Sequence, residues 1–338
     1  AHPGGRRHPD SRWSTLAGWP RGAGTDLVMP SEPGFRHEAV LFAGSASLVD
    51  AATPVIQAAV ARDEPVMAMF DLATIDLLRS ALGRDAARVD FADMRTIGHN
   101  PACVVPAWRA FVDDHAHTGR TMHGFGQPVW AGRAPPVLAE CRLHEALVNV
   151  AFGADGSFRL ACAYDTEALS PAVIDSVQGT HPFVQQAGVV RPSAADGLLD
   201  AADLFEEALP DAPSGAVEVT FDGRSIAAVR RVVGRRAAAA GLDRGAQRDL
   251  VLAADELAVN SVRHGGGSGT LRIWLEDIDV VCEIADRGHI TDVLGGCRRP
   301  GPIARDGRGL WMVNQLCDLV QIRSSDAGTV VRVRMAPR

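Results

Sequence analysis

In the first half of the chain, short runs of hydrophobic residues alternate with longer segments whose hydrophobic residues recur with the period of a helix. Short apolar runs such as HEAVLFAG, EPVMAMFD and FRLACAYD predict buried strands. Longer segments between them have helical periodicity. One is predicted to end at Gly83, and another to be interrupted or to begin at Pro54. Strands that alternate with helices of this length indicate a largely parallel sheet. Residues 35–190 are therefore expected to form an α/β domain.

The pattern changes from Val217 onward. VEVTF predicts a strand, and a helix is predicted to follow, with Ser225 as its N-cap and Gly241 at its C-terminal end. Four further strands come in two pairs, TLRIWLED with DVVCEIAD and DLVQIRS with GTVVRVRMA. Because these strands follow one another in pairs, the sheet of this second α/β region is expected to be mostly antiparallel, with its helices on one face.

Two segments lack such periodicity. Residues 1–34 contain five prolines and six glycines, which predicts a disordered extension, and Met29 is a candidate for the natural first residue. Residues 191–216 are acidic and rich in Pro, Ala and Gly, which predicts a linker with a short helix at its centre. The expected organisation is an extension (1–34), a first domain (35–190), a linker (191–216) and a second domain (217–338).

Composition narrows the functional classes. The 338-residue chain has a net charge of −7, which gives no basic surface for direct nucleic-acid binding. It has no apolar run of the ~18–20 residues needed to cross a bilayer. Its six cysteines are scattered without a CxxC pair, which suits a reducing compartment better than a disulfide or zinc framework. With no apolar segment among the first residues, these features predict a cytoplasmic location.

Lysine is absent from the sequence, and all 34 basic Lys or Arg positions are arginines. A Walker A loop and a eukaryotic-type protein kinase each need a lysine on the phosphates. Schiff-base and pyridoxal enzymes need one as the covalent nucleophile. All of these classes are excluded.

One helix of the second domain carries an unusual set of polar residues. The segment DLVLAADELAVNSVRHGGG has an apolar face, and Glu256 and Asn260 lie one turn apart at its edge. A carboxylate and an amide in this position can face a pocket while the helix packs on the core. His264 lies one turn further along. A helix C-terminus favours a basic residue there, and we prefer this interpretation to a catalytic role.

Three short motifs follow this helix. DRG (286–288) places an acid beside a flexible turn, and Gly307 and Gly309 lead into a helix whose free N–H groups suit an anion. GT (328–329) opens the last strand with a hydroxyl group. Each motif alone is common in proteins, but the ordered set within about 75 residues is specific.

With these motifs, residues 217–338 resemble the histidine-kinase-like (GHKL) ATPase fold, an α/β sandwich. They are most similar to serine-kinase anti-sigma factors of the RsbW and SpoIIAB kind. The resemblance implies ATP and Mg²⁺ as cofactors, with Asn260 holding Mg²⁺ on the phosphates. It also implies that Asp286 accepts a hydrogen bond from the adenine amino group, that Thr329 supports Asp286 through water, and that Gly288 allows close approach of the base.

The same resemblance assigns the transfer chemistry. Glu256 corresponds to the family's general base, which takes the proton of a serine hydroxyl on a protein substrate. Gly307 and Gly309 would shape the lid over the phosphates, and Arg305 corresponds to a lid arginine that acts at the γ-phosphate or at the partner surface. Without lysine, Mg²⁺, backbone N–H groups and arginine must meet the phosphate charge. One position departs from the family pattern: this chain has Ile290 where a second glycine often follows DxG.

Residues 35–190 resemble the MEDS (DcmR-type sensory) domain through HEAVLF, EPVMAMF, GHNP, PAWRAF, ECRLHEALVNVAF, YDTEAL and THP. The resemblance implies an α/β sensory module related in outline to P-loop folds, although no phosphate loop is present. Six polar residues are candidates to surround a small-molecule signal: His99, Asn100, Glu140, His144, Glu145 and Tyr164. Hydrogen bonding within the domain is an equally good interpretation of these residues.

Two histidine segments resemble known motifs without completing them. Leu41 and Val148 occupy the place of the second histidine of HExxH, so a zinc-protease site is excluded. The segment that begins at His144 is similar to a phosphoacceptor box, but it lies about 70 residues before the ATPase-like region, inside an α/β domain.

These observations predict an anti-sigma factor with serine/threonine kinase activity. It would bind a sigma factor and phosphorylate an anti-anti-sigma (STAS-type) protein, with the first domain modulating this switch. A homodimer is one assembly state that the resemblance allows. Two alternatives stay open: a binding-only protein whose shape ATP sets, which the atypical DRGHI favours, and an orphan histidine kinase phosphorylated on His144.

Overall fold

The computed structural model describes residues 34–193, 198–301 and 307–337. The predicted extension lies outside these ranges except for its last residue, and so does Arg305 of the predicted lid. Within the described ranges, the strands form two separate sheets. The predicted α/β class is confirmed for both halves of the chain.

Seven strands form the first sheet: β1 (Arg36–Phe42), β2 (Val66–Phe70), β3 (Val89–Asp93), β4 (Met122–Gly126), β5 (Phe158–Asp165), β6 (Phe183–Gln186) and β7 (Val189–Pro192). Their order across the sheet is β3-β2-β4-β5-β1-β6-β7. Neighbouring strands are parallel except for β6 and β7, which pair antiparallel at one edge. The largely parallel sheet is therefore confirmed, and the edge hairpin is an element that the pattern did not predict.

Helices cover both faces of this sheet: α1 (Gly44–Ala61), α2 (Leu72–Leu82), α3 (Met94–Ile97), α4 (Val104–His115), α5 (Pro135–Phe152) and α6 (Pro171–Val177). Successive strand residues point to opposite faces. As a result, α1 and α2 pack with Val40 and Phe42 of β1, and α4 and α5 pack with Ala39 and Leu41. The central strands β1, β2, β4 and β5 are thus buried on both sides, as a parallel sheet requires, whereas the edge strands β3 and β7 are partly exposed.

The predicted end of α2 agrees with the structure, whereas the predicted break within α1 does not. Helix α2 ends before Gly83, which has a φ of 57°, so the predicted stop is confirmed. The predicted break at Pro54 is wrong, because α1 continues through it. A proline removes the hydrogen bond to the carbonyl four residues earlier. That carbonyl belongs to Asp50, which is exposed, so water can satisfy it.

Five strands form the second sheet: β8 (Val217–Asp222), β9 (Ser268–Glu276), β10 (Asp279–Asp286), β11 (Leu319–Ser325) and β12 (Gly328–Met335). Their order is β11-β12-β10-β9-β8, and all these pairs are antiparallel, which confirms the expected sheet. Three helices accompany it: α8 (Ile226–Ala239), α9 (Arg244–His264) and α10 (Arg308–Leu316).

A side-chain cap explains where α9 begins, whereas the predicted cap of α8 is not formed. The carboxylate of Asp243 accepts hydrogen bonds from the backbone N–H groups of Gly245 (2.6 Å) and Ala246 (3.1 Å), and α9 starts there. Ser225 stands at the predicted N-cap position of α8, but its hydroxyl makes no cap bond. It donates instead to the carboxylate of Asp222, at 2.7 Å. The buried stripe of α9 packs the helix on the apolar face of the sheet.

The predicted short helix of the linker is α7 (Ala201–Glu206). Asp200 caps it by accepting a hydrogen bond from the N–H of Ala202, at 2.8 Å. Its face of Leu204 and Phe205 is buried, and the helix packs against both α5 and β11. This segment therefore docks between the two sheets. Among the described residues, no helix is both long and apolar enough to cross a membrane.

Candidate functional site

Helix α9, the end of β10 and the start of α10 enclose a cavity of about 630 Å³. Seven of the eight predicted site residues line it: Glu256, Asn260, Asp286, Gly288, Gly307, Gly309 and Thr329. The eighth, Arg305, lies outside the described residues. A cavity of this size suits a small-molecule ligand or cofactor. The structure brings the predicted residues together, and their individual roles stay predictions.

Glu256 and Asn260 form the wall of this cavity on the α9 side. Both side chains are partly exposed, while the adjacent Leu257 and Ala258 are buried. Within the described ranges, neither polar side chain makes a hydrogen bond. Their oxygen and nitrogen atoms are therefore available to a ligand in the cavity.

Gly309 places the first turn of α10 directly over this pair. A Cβ atom added at Gly309 would lie 3.1 Å from Oε2 of Glu256 and 3.1 Å from Nδ2 of Asn260. Gly307 precedes the helix with a φ of 82°, a conformation that favours glycine. A helix that begins here offers free backbone N–H groups and a positive dipole end to an anion.

Asp286 is held by two hydrogen bonds from opposite sides. The hydroxyl of Ser261 donates to its Oδ2 at 2.5 Å, and the backbone N–H of Gly288 donates to its Oδ1 at 2.7 Å. A Cβ atom added at Gly265 would collide with this carboxylate. The last turn of α9 and the loop after β10 therefore fix the position of the acid.

Thr329 fixes the same loop through a chain of hydroxyl groups. Its O–H donates to the carbonyl of Gly288 at 2.8 Å, so the 2.7 Å contact with Ser324 must be donated by Ser324. Ser324 in turn accepts from the backbone N–H of Ile290, at 2.8 Å. Ile290, the departure from the family pattern, is thus anchored by its backbone while its side chain packs against the core.

Three of these contributors were not predicted: Ser261, Ser324 and Gly265. Ser261 immediately follows Asn260 on a helix, where serine is common and gives no signal of its own. Ser324 lies inside β11, and its role depends on the pairing of β11 with β12, in which it faces Thr329. Gly265 belongs to the run of glycines that predicts the end of α9, but this run does not indicate the contact with Asp286.

The six polar residues suspected in the first domain do not form one site. Asn100 and Glu140 face the second domain: Nδ2 of Asn100 donates to the carbonyl of Asn314 at 2.9 Å, and Arg323 donates to Glu140 at 2.6 Å. His99 lies 3.4 Å from Asp318 at an exposed position.

His144 packs into the interior beside Glu140. Its side chain is buried, and its Nδ1 lies 2.8 Å from the carbonyl of Glu140, one turn earlier on α5. Burial, more than any nearby charge, lowers the pKa of His144. A phosphoacceptor histidine must reach the γ-phosphate of ATP, and this buried position opposes that role. Glu145 and Tyr164 lie in a separate buried cluster around His37 and His181.

Comparison with protein families divides the chain into the same two parts. Residues 36–182 match the model of the MEthanogen/methylotroph, DcmR Sensory (MEDS) domain, and residues 219–335 match the model of the histidine kinase-like ATPase domain. Both stated resemblances are thereby confirmed. The chain combines an N-terminal MEDS domain with a C-terminal histidine kinase-like ATPase domain.

Comparison with individual proteins adds little to this result. No curated protein matches the chain. Among solved structures, it is similar to the RsbU and RsbW domains of Rv1364c from Mycobacterium tuberculosis, at 22% identity and a TM-score of 0.28. The match covers 38% of this chain and 35% of that one.

Proposed function

We propose that the ATPase domain binds Mg-ATP and transfers the γ-phosphoryl group to a serine of a protein substrate, as a serine/threonine kinase of the anti-sigma type. The observation that carries the proposal is the position of Glu256 and Asn260 side by side beneath Gly309. Asp286 is held beside Gly265, which follows α9 five residues after Asn260 and nine after Glu256, or about 8 Å and about 13 Å along a helix axis. This spacing suits a nucleotide with its base at Asp286 and its phosphates at Asn260.

The donor set fits Mg²⁺ on the phosphates. Mg²⁺ prefers oxygen ligands, keeps several waters and usually takes only one or two ligands from the protein besides the phosphates. The amide oxygen of Asn260 supplies one such ligand, and Gly309 leaves space above it. Mg-ATP, when bound, supplies the transferable phosphoryl group and most of the neutralising positive charge.

The remaining chemistry belongs to the chain itself. Glu256 accepts the proton of the substrate serine as its oxygen attacks, because its carboxylate stands beside the phosphate-binding turn and no other side chain among the described residues engages it. The N–H groups at the start of α10 bind the phosphate oxygens and orient them. Asp286, pre-positioned by Ser261 and Gly288, accepts a hydrogen bond from the amino group of the base.

We further propose that the partners are a sigma factor and an anti-anti-sigma protein of the STAS type, and that the MEDS domain modulates the switch. The motifs by which residues 217–338 resemble serine-kinase anti-sigma factors support this assignment. The match of residues 36–182 to a sensory domain on the same chain supports it too. The acceptor is then a serine hydroxyl, which suits a carboxylate base.

Calorimetric titration of Mg-ATP into the full chain tests the first step. The intact protein is expected to bind, and Asn260→Ala is expected to lose most of the affinity because its Mg²⁺ ligand is removed. Absence of binding to the intact protein would overturn the proposal. Binding that Asn260→Ala leaves unchanged would reject the assignment of Asn260.

Transfer from labelled ATP to a STAS-type protein tests the second step. Glu256→Gln is expected to keep ATP binding and to slow transfer by about 10²- to 10⁴-fold, the usual contribution of a general base. Asp255→Asn is the matched control, because this neighbouring carboxylate contacts Arg230 at 3.5 Å instead of the cavity. Transfer retained in Glu256→Gln would remove Glu256 as the base. ATP binding without transfer would favour a binding-only protein, and acid-labile phosphate on His144 would identify a histidine kinase.

A further inference from the structure

A buried cluster in the MEDS domain brings together four side chains of metal-ligand type. His37 comes from β1, Glu145 from α5, Cys162 from β5 and His181 from the turn before β6. One ligand atom from each lies within 4.8 Å of the other three, and all four residues are buried. Because β1 lies between β5 and β6, residues far apart in sequence meet on one face of the sheet.

The first imidazole is oriented by an amide. Nδ1 of His37 lies 3.0 Å from Oδ1 of Asn149, and Nδ2 of Asn149 donates to the carbonyl of Thr180 at 2.8 Å. The amide oxygen therefore faces His37 and accepts a proton from its Nδ1. In a neutral ring this leaves a lone pair on Nε2. That Nε2 points at Oε2 of Glu145 (3.3 Å) and Sγ of Cys162 (3.4 Å).

The second imidazole has the same arrangement. Nδ1 of His181 lies 2.9 Å from the carbonyl of Val177, which can only accept a hydrogen bond, so the ring carries its proton there. The hydroxyl of Thr180, 3.0 Å from the same Nδ1, donates to the Val177 carbonyl at 3.2 Å and leaves this assignment intact. Its Nε2 lies 3.0 Å from Oε2 of Glu145. In the part of the chain that the structure describes, both this Nε2 and this Oε2 are buried without a hydrogen-bond partner.

Two nitrogen lone pairs thus converge on a carboxylate oxygen inside the protein. Buried polar atoms without a partner are costly, and lone pairs that face an anion repel it. A cation between these atoms would satisfy all of them.

We propose that His37, Glu145, Cys162 and His181 bind a Zn²⁺ ion in the MEDS domain. Two imidazoles, a thiolate and a carboxylate form a ligand set that Zn²⁺ prefers. In a tetrahedral zinc site, bonds of these types hold neighbouring ligand atoms roughly 3.3–3.6 Å apart. The three distances of 3.0, 3.3 and 3.4 Å between the ligand atoms are close to that range.

Charge balance supports the same ion. A carboxylate and a thiolate carry two negative charges, which neutralise a divalent cation inside the domain, whereas an unbalanced charge there would be expensive. Binding replaces the thiol proton of Cys162, whose pKa burial otherwise raises. The partners of the two Nδ1 atoms, Asn149 and Val177, are the outer contacts that usually orient zinc-bound imidazoles.

A small cavity of about 40 Å³ adjoins the cluster and is lined by Glu145 and Tyr164. It has room for a water-sized molecule. A small ligand that enters it reaches the position of the ion, which would make the ion part of the sensory function of the domain.

Cobalt titration of the metal-depleted full chain tests this proposal. Co²⁺ replaces Zn²⁺ in tetrahedral sites and reports thiolate coordination through a charge-transfer band. We expect one equivalent of Co²⁺ to produce this band together with intense visible bands of tetrahedral cobalt, and Zn²⁺ to displace it. Cys162→Ser should abolish the charge-transfer band, and His181→Gln should weaken Co²⁺ binding by at least about 100-fold. Asn149→Ala should weaken it by about 10- to 100-fold.

Cys282→Ser is the matched control, because Cys282 is equally buried but lies in the sheet of the ATPase domain. It should leave the cobalt spectrum unchanged. Circular dichroism shows which variants fold. If Cys162→Ser does not fold, the Co²⁺ spectrum of the wild type and the Co²⁺ affinity of Asn149→Ala still test the proposal. Absence of a stoichiometric thiolate band in the folded wild type would overturn the proposal. Co²⁺ binding that is unchanged in the folded variants Cys162→Ser, His181→Gln and Asn149→Ala would also overturn it.

Discussion

The ATPase cavity and the His/Glu/Cys cluster of the MEDS domain use polar side chains in opposite ways. Glu256 and Asn260 stand partly exposed beside a cavity of about 630 Å³, whereas His37, Glu145 and His181 are enclosed by the protein. An open site can exchange a large ligand in every cycle. A closed site can hold only a small ion or ligand, and a change there must alter the packing of the domain. The first arrangement suits turnover, and the second suits sensing.

Helix α5 connects the cluster with the sheet of the ATPase domain. It carries Glu145 of the cluster and, five residues earlier, Glu140, whose Oε1 accepts hydrogen bonds from Arg323 (2.6 Å) and Gln321 (3.3 Å) of β11. Both carboxylates are buried. A shift of α5 caused by binding at the cluster would therefore reach the sheet of the ATPase domain through an ion pair that cannot be screened by solvent.

The largest expected effect tests this connection. Glu140→Ala leaves the guanidinium of Arg323 buried without its charged partner, and we expect the free energy of unfolding to fall by about 3–5 kcal/mol. Glu207→Ala is the control, because Glu207 pairs with Arg142 of the same helix at an exposed position. It should cost less than about 1 kcal/mol. Urea unfolding of the full chain measures both values, and equal effects would show that the buried pair does not hold the domains together.

A smaller effect is expected in the ATPase cavity. Gly265 has a φ of −97°, so an alanine there is not strained by the backbone, but its Cβ would displace the carboxylate of Asp286. Gly265→Ala should therefore weaken ATP binding by about 10- to 100-fold, the value of one hydrogen bond to a charged group. Gly215→Ala, where a Cβ meets nothing within 4 Å, should leave affinity unchanged. Unchanged affinity in Gly265→Ala would separate Asp286 from nucleotide recognition.

How far each site could be predicted from sequence depends on whether its residues lie on one element or on several. Glu256 and Asn260 share a helix, and helical periodicity alone places them on one edge. The turns after β10 and before β12 carry their own glycines, so the order of motifs indicated one cavity. The contacts of Ser261 and Ser324 depend on the packing of α9 against the sheet and on strand register, neither of which a local pattern contains.

The cluster of the MEDS domain could not be found in this way. Its ligands span residues 37–181 and come from two parallel strands, a helix and a turn, so no spacing connects them. The scattered cysteines argued against a zinc framework, and that argument does not apply to a site that uses one cysteine with two histidines. The edge hairpin was missed for a related reason. Its turn uses Ala187 at a φ of 48° beside Gly188, and alanine gives no turn signal.

The smallest expected effect concerns how the two domains respond to acid. His123 on β4 is buried, and its Nε2 lies 2.8 Å from Glu64. Burial is the main cause that lowers the pKa of His123 from 6.5, with Arg159 and Arg62 adding to it and Glu64 opposing it. The unfolded chain therefore binds a proton at this histidine more readily than the folded chain does. Stability is full above about pH 6.5 and falls as the pH drops below it.

His123→Gln should remove part of this loss. Between about pH 7.5 and about pH 5.5, we expect the wild type to lose about 1 kcal/mol more stability than the variant, in urea unfolding with a chelator present. His289→Gln is the control, since His289 of the ATPase domain is exposed and near Asp326. An equal loss in His123→Gln and wild type would mean that His123 does not contribute to the acid response. A reduced loss in His289→Gln instead would place the acid response in the ATPase domain with its open cavity, and not in the MEDS domain with its closed cluster.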